Sequence, residues 1–231
     1  MCIRDRAKTF TWFEDYKEVC KWNFREPDVK WFLNGKTNIT YNCLDRHLES
    51  RGDQTAILWE PNDPNDPVRK YTYQQLYHEV CKLSNALKSL GIAKGDRVVF
   101  YMPMLPELAI GIMACARIGA IHSVVFAGFS AQALADRVDD AEAKMIVCSD
   151  FNKRGAKLIP VKQVVDDAMD KSCNSVEHVL VYKNSDEEVS WSDDVDKWWH
   201  TATEGQAEDC PAEPMDSEDI LFIIYLSLIH I

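Results

Sequence analysis

The sequence predicts an α/β fold, a doubly wound, mostly parallel sheet with flanking helices. Two observations predict it. Apolar, β-rich runs at Arg97–Tyr101, His122–Phe126, Lys144–Cys148 and His178–Tyr182 alternate with helical segments at Pro106–Ile118, Ser130–Ala141 and Val161–Lys171, which is the pattern of βαβ units. The runs are also nearly continuous in apolar residues, as expected of strands covered on both faces.

Before this alternation, residues 7–50 carry Trp12, Phe13, Tyr16, Trp22, Phe24, Trp31, Phe32 and Tyr41, with little periodicity until Cys43–Leu48. They read as an extension held to a larger body by aromatic anchors. Ala56–Trp59 is a short strand and Pro61–Pro67 a turn or loop. Thr72–Leu90 is a helix. Thr72 and Gln75 fit a capping box, Leu76, Val80, Leu83, Leu87 and Leu90 recur at helical spacing, and Gly91 suits the C′ position. Pro106 suits a first helical turn, and Ser130 an N-cap. Residues 183–219 turn polar and acidic, with Trp191, Trp198 and Trp199 docking a short irregular segment onto the sheet. Ile220–Tyr225 reads as a new buried strand.

Composition narrows the function classes. The chain has 231 residues, 46% hydrophobic and 27% charged, an ordinary globular composition for one or two domains. A net charge of −11 disfavours general nucleic-acid binding but leaves room for a local basic pocket. The longest apolar run, near Leu221–Ile231, is shorter than the ~20 residues of a membrane span, and no apolar signal core follows Met1. A cytoplasmic protein without membrane or nucleic-acid partners is therefore expected. The eight cysteines form no C-x-x-C and read as buried hydrophobes.

The two ends stand apart. Leu226–Ile231 can be encoded CTG TCT CTT ATA CAC ATC, whose reverse complement, read one base in, begins Met-Cys-Ile-Arg-Asp and opens an Arg codon. One short DNA sequence read in opposite directions can write both ends, and it resembles a transposase-based sequencing adapter. Residues 1–6 and 226–231 are therefore expected to be adapter-derived and are set aside.

Short motifs supply no complete catalytic machine. No G-x-G-x-x-G, Walker A, G-x-S-x-G or H-E-x-x-H is present. Two loops at predicted strand ends attract attention, because open α/β sheets bind ligands there. Phe126-Ala127-Gly128 offers a ring that can stack on a purine and a glycine that admits close backbone approach. Arg154-Gly155-Ala156-Lys157 offers two cations that can clamp a phosphate. Together they suggest a nucleotide-like ligand. The same residues also suit a core phenylalanine, a turn glycine and solvated charges. His122 reads as a satisfied, half-buried histidine, Asp139-Asp140 and Asp193-Asp194 as solvated faces, and Asp45-Arg46-His47 as a surface helical turn.

Longer stretches carry a family resemblance. Residues 31–47 (WFLNGKTNITYNCLDRH), Tyr101–Met104, Ala114–Phe126 and Ala133–Arg137 are very similar to AMP-forming acetyl-CoA synthetases, adenylate-forming enzymes, and the resemblance runs over Ala7–Tyr225. It implies an N-terminal extension at 7–70 and, at 71–225, the first α/β part of the AMP-binding domain, incomplete. It implies a ligase that converts acetate, ATP and coenzyme A into acetyl-CoA, AMP and pyrophosphate through acetyl-adenylate, with Mg²⁺. It further implies that Phe126, Ala127 and Gly128 lie near the adenine of coenzyme A, and that Arg154, Gly155, Ala156 and Lys157 bind its phosphate-bearing end. The family usually has two glycines where Ala127-Gly128 stand. In the family, the strand matching Leu221–Tyr225 leads into a Thr-Ser-Gly-Ser-Thr-Gly-Lys phosphate loop, and the acyl pocket, the ATP and Mg²⁺ sites and the catalytic lysine follow. Here Leu226-Ser227-Leu228 stands instead. The expectation is an N-terminal fragment without catalytic or metal-ligating residues, inactive alone. The rivals are a propionate or other short-chain ligase fragment and a stand-alone coenzyme A-binding module.

Overall fold

The computed structural model describes residues 3–155 and 157–226. Ala156 lies outside them, as do residues 1, 2 and 227–231 of the two end segments. Ile3–Ala7 forms a short helix.

The elements that carry the core are, in chain order, α1 (Tyr73–Ser89), β1 (Arg97–Tyr101), α2 (Pro106–Ile118), β2 (Ile121–Val124), α3 (Ala131–Asp140), β3 (Met145–Ser149), α4 (Val161–Met169), β4 (His178–Tyr182), β5 (Asp196–Trp198) and β6 (Phe222–Ile223). The six strands form one sheet in the order β5-β4-β3-β1-β2-β6, and every pairing is parallel. Alternate side chains of each strand enter opposite cores. Val98 and Phe100 of β1 join Met145, Val147 and Leu180 under α1 and α2. Val99 and Tyr101 join Ile146, Cys148, Val179 and Val181 under α3 and α4. Burial on both faces is the reason these strands are apolar without interruption.

The helix boundaries follow from their caps. Thr72 Oγ1 accepts the Gln75 N–H while the Gln75 side chain accepts the Thr72 N–H, a complete capping box for α1. Gly91 sits at C′ with φ +83°, a conformation that favours glycine. Pro106 opens α2, and Ser130 Oγ accepts the Ala133 N–H at the start of α3.

The extension packs as expected through aromatic contacts: Trp12 with Tyr16 at 5.0 Å, Trp12 with Phe32 at 5.4 Å and Phe13 with Tyr41 at 5.0 Å. It also contains an antiparallel hairpin, Glu18–Asn23 with Asp28–Leu33, which the sequence pattern does not announce. Lys36–Thr37 pairs with Met215–Asp216, joining the two ends of the chain.

Three expectations are corrected. Within Ile220–Tyr225 only Phe222–Ile223 enters the ladder, and Ile220, Phe222 and Ile224 are exposed rather than buried, because β6 is an edge strand with a neighbour on one side. Asp196–Trp198, expected to be irregular, is a parallel edge strand at the opposite edge, backed by the Trp191–Trp198 stack at 4.4 Å. Asp45–His47 is a 3₁₀ turn, yet Asp45 is no solvated side chain: its two oxygens take both Nη atoms of buried Arg117 at 2.8 Å. The cysteines largely meet expectation. Cys81, Cys115, Cys148, Cys173 and Cys210 are buried and free, whereas Cys43 is exposed.

Candidate functional site

The connections leaving β1 and β3 run to opposite sides of the sheet, so the gap between their carboxyl ends is a topological switch point, where open α/β sheets hold ligands. A cleft of about 510 Å³ opens there. Met104 lines it from the end of β1, Asn152, Gly155 and Lys157 from the segment after β3, and Trp59 and Asp66 from the loop near Pro61–Pro67. Trp59 is fixed in place by its Nε1–H, which donates to the Met104 carbonyl at 2.8 Å.

The segment after β3 is a hairpin, Phe151–Arg154 paired antiparallel with Lys157–Pro160. Gly155 forms its tip at φ +58°. Arg154 and Lys157 are therefore directly opposite each other, one on each strand, and both are exposed. Like charges facing each other across a ladder repel, and among the described residues neither makes an ion pair. A dianion between them would relieve that repulsion and accept from both. Lys153 on the same hairpin pairs with Asp66 at 3.8 Å. The hairpin thus carries three cations in a chain of net charge −11, while Glu60, Asp63 and Asp66 line the opposite side of the same cleft. Ala156, between the two, lies outside the described residues.

Phe126-Ala127-Gly128 follows β2, on the far side of β1 from the hairpin, and does not line the cleft. Phe126 is not a core residue. Its ring is 69% exposed and meets Phe129 edge-on at 5.9 Å, which leaves a face for a ligand ring. The ring lies over Gly128: a Cβ there would stand 2.4 Å from Phe126 Cε1, and the exposed ring would have to turn aside. The turn is closed by the Gly128 N–H donating to the Phe126 carbonyl at 2.7 Å, and it is anchored to β1 by the Tyr101 hydroxyl donating to the Phe129 carbonyl at 2.7 Å. The structure thus brings Gly155 and Lys157 to the cleft, with Arg154 beside them, and sets 126–128 at the neighbouring strand end.

The other candidates separate from the site. His122 is buried, stacks on Phe222 at 5.6 Å, and its Nδ1 has no hydrogen-bond partner among the described residues, so it is not the satisfied histidine expected. Burial pushes its pKa down to about 4, which keeps it neutral near pH 7. Asp139 accepts the Cys173 N–H at 2.9 Å, and Asp140 the Tyr225 hydroxyl at 2.7 Å. Both are exposed, as expected, and each also holds one structural hydrogen bond. Sequence reasoning missed Asp150 and Asn184, which organise the root of the hairpin. The only signal for Asp150 was a single acidic residue directly after a buried strand. Among the described residues no cluster of His, Cys, Asp or Glu side chains fits a metal ion, so no residue here is assigned to Mg²⁺. No helix of the described residues is long and apolar enough to cross a membrane.

Comparison with known proteins gives consistent matches. The profile of the AMP-binding enzyme family matches residues 44–227, and that of the acetyl-coenzyme A synthetase N-terminus matches residues 4–43. An acetyl-coenzyme A synthetase of Desulfatibacillum aliphaticivorans is 51% identical over 222 residues, 96% of this chain and 34% of the relative. Acetyl-coenzyme A synthetase 2 of Pseudomonas putida is 47% identical over 223 residues, with the same coverage. The chain thus spans about a third of the length of these curated relatives. The solved acetoacetyl-CoA synthetase from Streptomyces lividans superposes with a TM-score of 0.85 at 22% identity, over 95% of this chain and 33% of that one. That likeness speaks for the fold.

Proposed function

Because the chain belongs to the AMP-binding enzyme family, we propose that it supplies the coenzyme A-binding part of an AMP-forming acetate–CoA ligase. The overall reaction joins acetate and ATP into acetyl-adenylate and pyrophosphate, then passes the acetyl group to the thiol of coenzyme A, releasing AMP. The names of the relatives support acetate as the acid. Mg²⁺ would accompany the ATP in such a reaction.

The observation that supports the reading is that Arg154 and Lys157 face each other at the tip of the hairpin and make no ion pair among the described residues. Two cations held opposite each other repel, and a phosphate group of coenzyme A is the ligand that turns this repulsion into attraction. The exposed ring of Phe126 offers a stacking face for the adenine, with Ala127 and Gly128 keeping the backbone beside it close. In this reading Arg154, Gly155, Ala156 and Lys157 hold the phosphate-bearing end. None of these groups moves a proton or forms a bond. They bind and orient, so the thiol end is free to reach an acyl group activated elsewhere.

The sequence of this chain contains no phosphate-binding loop of the family type. The purified chain is expected to bind coenzyme A in a calorimetric titration and to catalyse no acetate-dependent ATP–pyrophosphate exchange. Exchange above background would refute the assignment of a binding role alone, and absence of any coenzyme A heat would refute the site.

A further inference from the structure

One carboxylate ties the start of the hairpin to the turn after β4. Asp150 follows β3 directly and is 1% exposed. Its Oδ1 accepts the N–H groups of Phe151 and, at 2.8 Å, Asn184, while Oδ2 accepts that of Ser185 at 3.0 Å. Its own N–H donates to the Tyr182 carbonyl at 2.9 Å, and its carbonyl accepts the Lys162 N–H at 2.9 Å. Asn184 Nδ2 closes the ring by donating to the Phe151 carbonyl at 3.1 Å.

Phe151 opens the hairpin, and Lys162 follows its last residue, Pro160, by two positions. Asp150 therefore grips both roots of the hairpin and ties them to the turn after β4. Among the described residues no cation pairs with it. A buried charge is costly unless its oxygens are fully hydrogen-bonded, and here backbone N–H groups alone do this. Each strand of the hairpin has four residues, joined in register from Phe151↔Pro160 at the root to Arg154↔Lys157 at the tip. A ladder this short transmits any shift of its root to its tip.

We propose that Asp150 is a positioning residue for anion binding: by fixing the hairpin root it sets the separation and aim of Arg154 and Lys157 toward the 3′-phosphate of coenzyme A. This rests on the reading of the hairpin as the coenzyme A site. Asp150 does not touch the ligand. An amide at this position would turn one acceptor oxygen into an NH₂ group facing backbone N–H donors, and the root would have to move.

The test is a calorimetric comparison of coenzyme A with coenzyme A lacking its 3′-phosphate, on the chain as it stands. The unsubstituted protein is expected to prefer the phosphorylated form. In Asp150→Asn that preference is expected to fall about tenfold, the scale of effect when a charged contact is misaligned. Affinity for the dephosphorylated form is expected to change by less than about twofold. A merely structural role would weaken both ligands alike or neither. A folded Asp150→Asn protein with an unchanged preference overturns the proposal. Should that variant fail to fold, Asn184→Ala, at a residue that also lines the cleft, removes the side-chain bond to the Phe151 carbonyl, leaves the backbone N–H that Asp150 accepts, and is expected to lower the same ratio. An unchanged ratio there overturns it too. If the unsubstituted protein shows no preference, the coenzyme A reading fails before any substitution is made, and the positioning role falls with it.

Discussion

Arg117 on α2 and Asp45 in the extension are 72 positions apart in sequence, yet they form a two-pronged ion pair with both Nη–Oδ distances at 2.8 Å. Arg117 is almost fully buried. Its Nε–H donates to the Cys210 carbonyl, and its guanidinium lies 4.9 Å from the centre of the Tyr77 ring. One side chain thus ties the extension, α1, α2 and the chain near residue 210 together. Removing a single partner leaves a buried charge uncompensated, at a cost of about 3–5 kcal/mol. Asp45→Ala is expected to lower the urea midpoint accordingly, and adding Arg117→Met should recover part of the loss. A midpoint unchanged by Asp45→Ala contradicts this.

His122 makes stability depend on pH. Its ordinary pKa of 6.5 is pushed down to about 4 by burial. The unfolded chain therefore binds more protons between those values, and stability falls as pH drops from about 6.5 toward 4. Between pH 7 and pH 5 this one group should cost about 2 kcal/mol. His122→Leu removes the titration, so the unfolding free energies of the variant and the unsubstituted protein should diverge by that amount over the interval. Parallel curves would exclude the effect.

Gly111 lies inside α2, where alanine normally stabilises by about 1 kcal/mol. Here the sign reverses. A Cβ at Gly111 would stand 2.3 Å from Cε1 of Phe100, a fully buried ring on β1. Gly111→Ala is expected to destabilise by about 1–3 kcal/mol through overpacking, read as a lowered thermal midpoint. A raised midpoint would show that the ring can yield.

Arg154→Ala and Lys157→Ala should each weaken coenzyme A binding about tenfold, roughly 1.4 kcal/mol apiece. Both should also flatten its dependence on salt, since exposed charges are screened. Equal salt slopes in the variants and the unsubstituted chain would show that these cations do not meet the phosphate.

Much of this was legible where local chemistry decides the outcome. The Thr72–Gln75 capping box, Pro106 and Ser130 act within one helical turn, and the helices start where those residues place them. The uninterrupted apolar runs marked a sheet covered on both faces. What the pattern concealed depends on which segments pair, and hydropathy does not name the partner. The hairpin at Glu18–Asn23 shows no alternation, and the three-residue strand Asp196–Trp198 exists only through its ladder with β4. The apolar run after Ile220 looked buried because hydropathy does not reveal that a strand lies at an edge. At the site, Arg154 and Lys157 were singled out as charges. That they face each other depends on the turn at Gly155, and that Asp150 holds the hairpin root depends on Asn184, 34 positions away.

The most direct measurement is to map coenzyme A onto the chain by amide chemical-shift perturbation. The account expects the largest shifts in two separate groups, Phe126–Gly128 and Arg154–Lys157, saturating together at one affinity. Shifts confined to other surfaces, or to only one of the two loops, would contradict it.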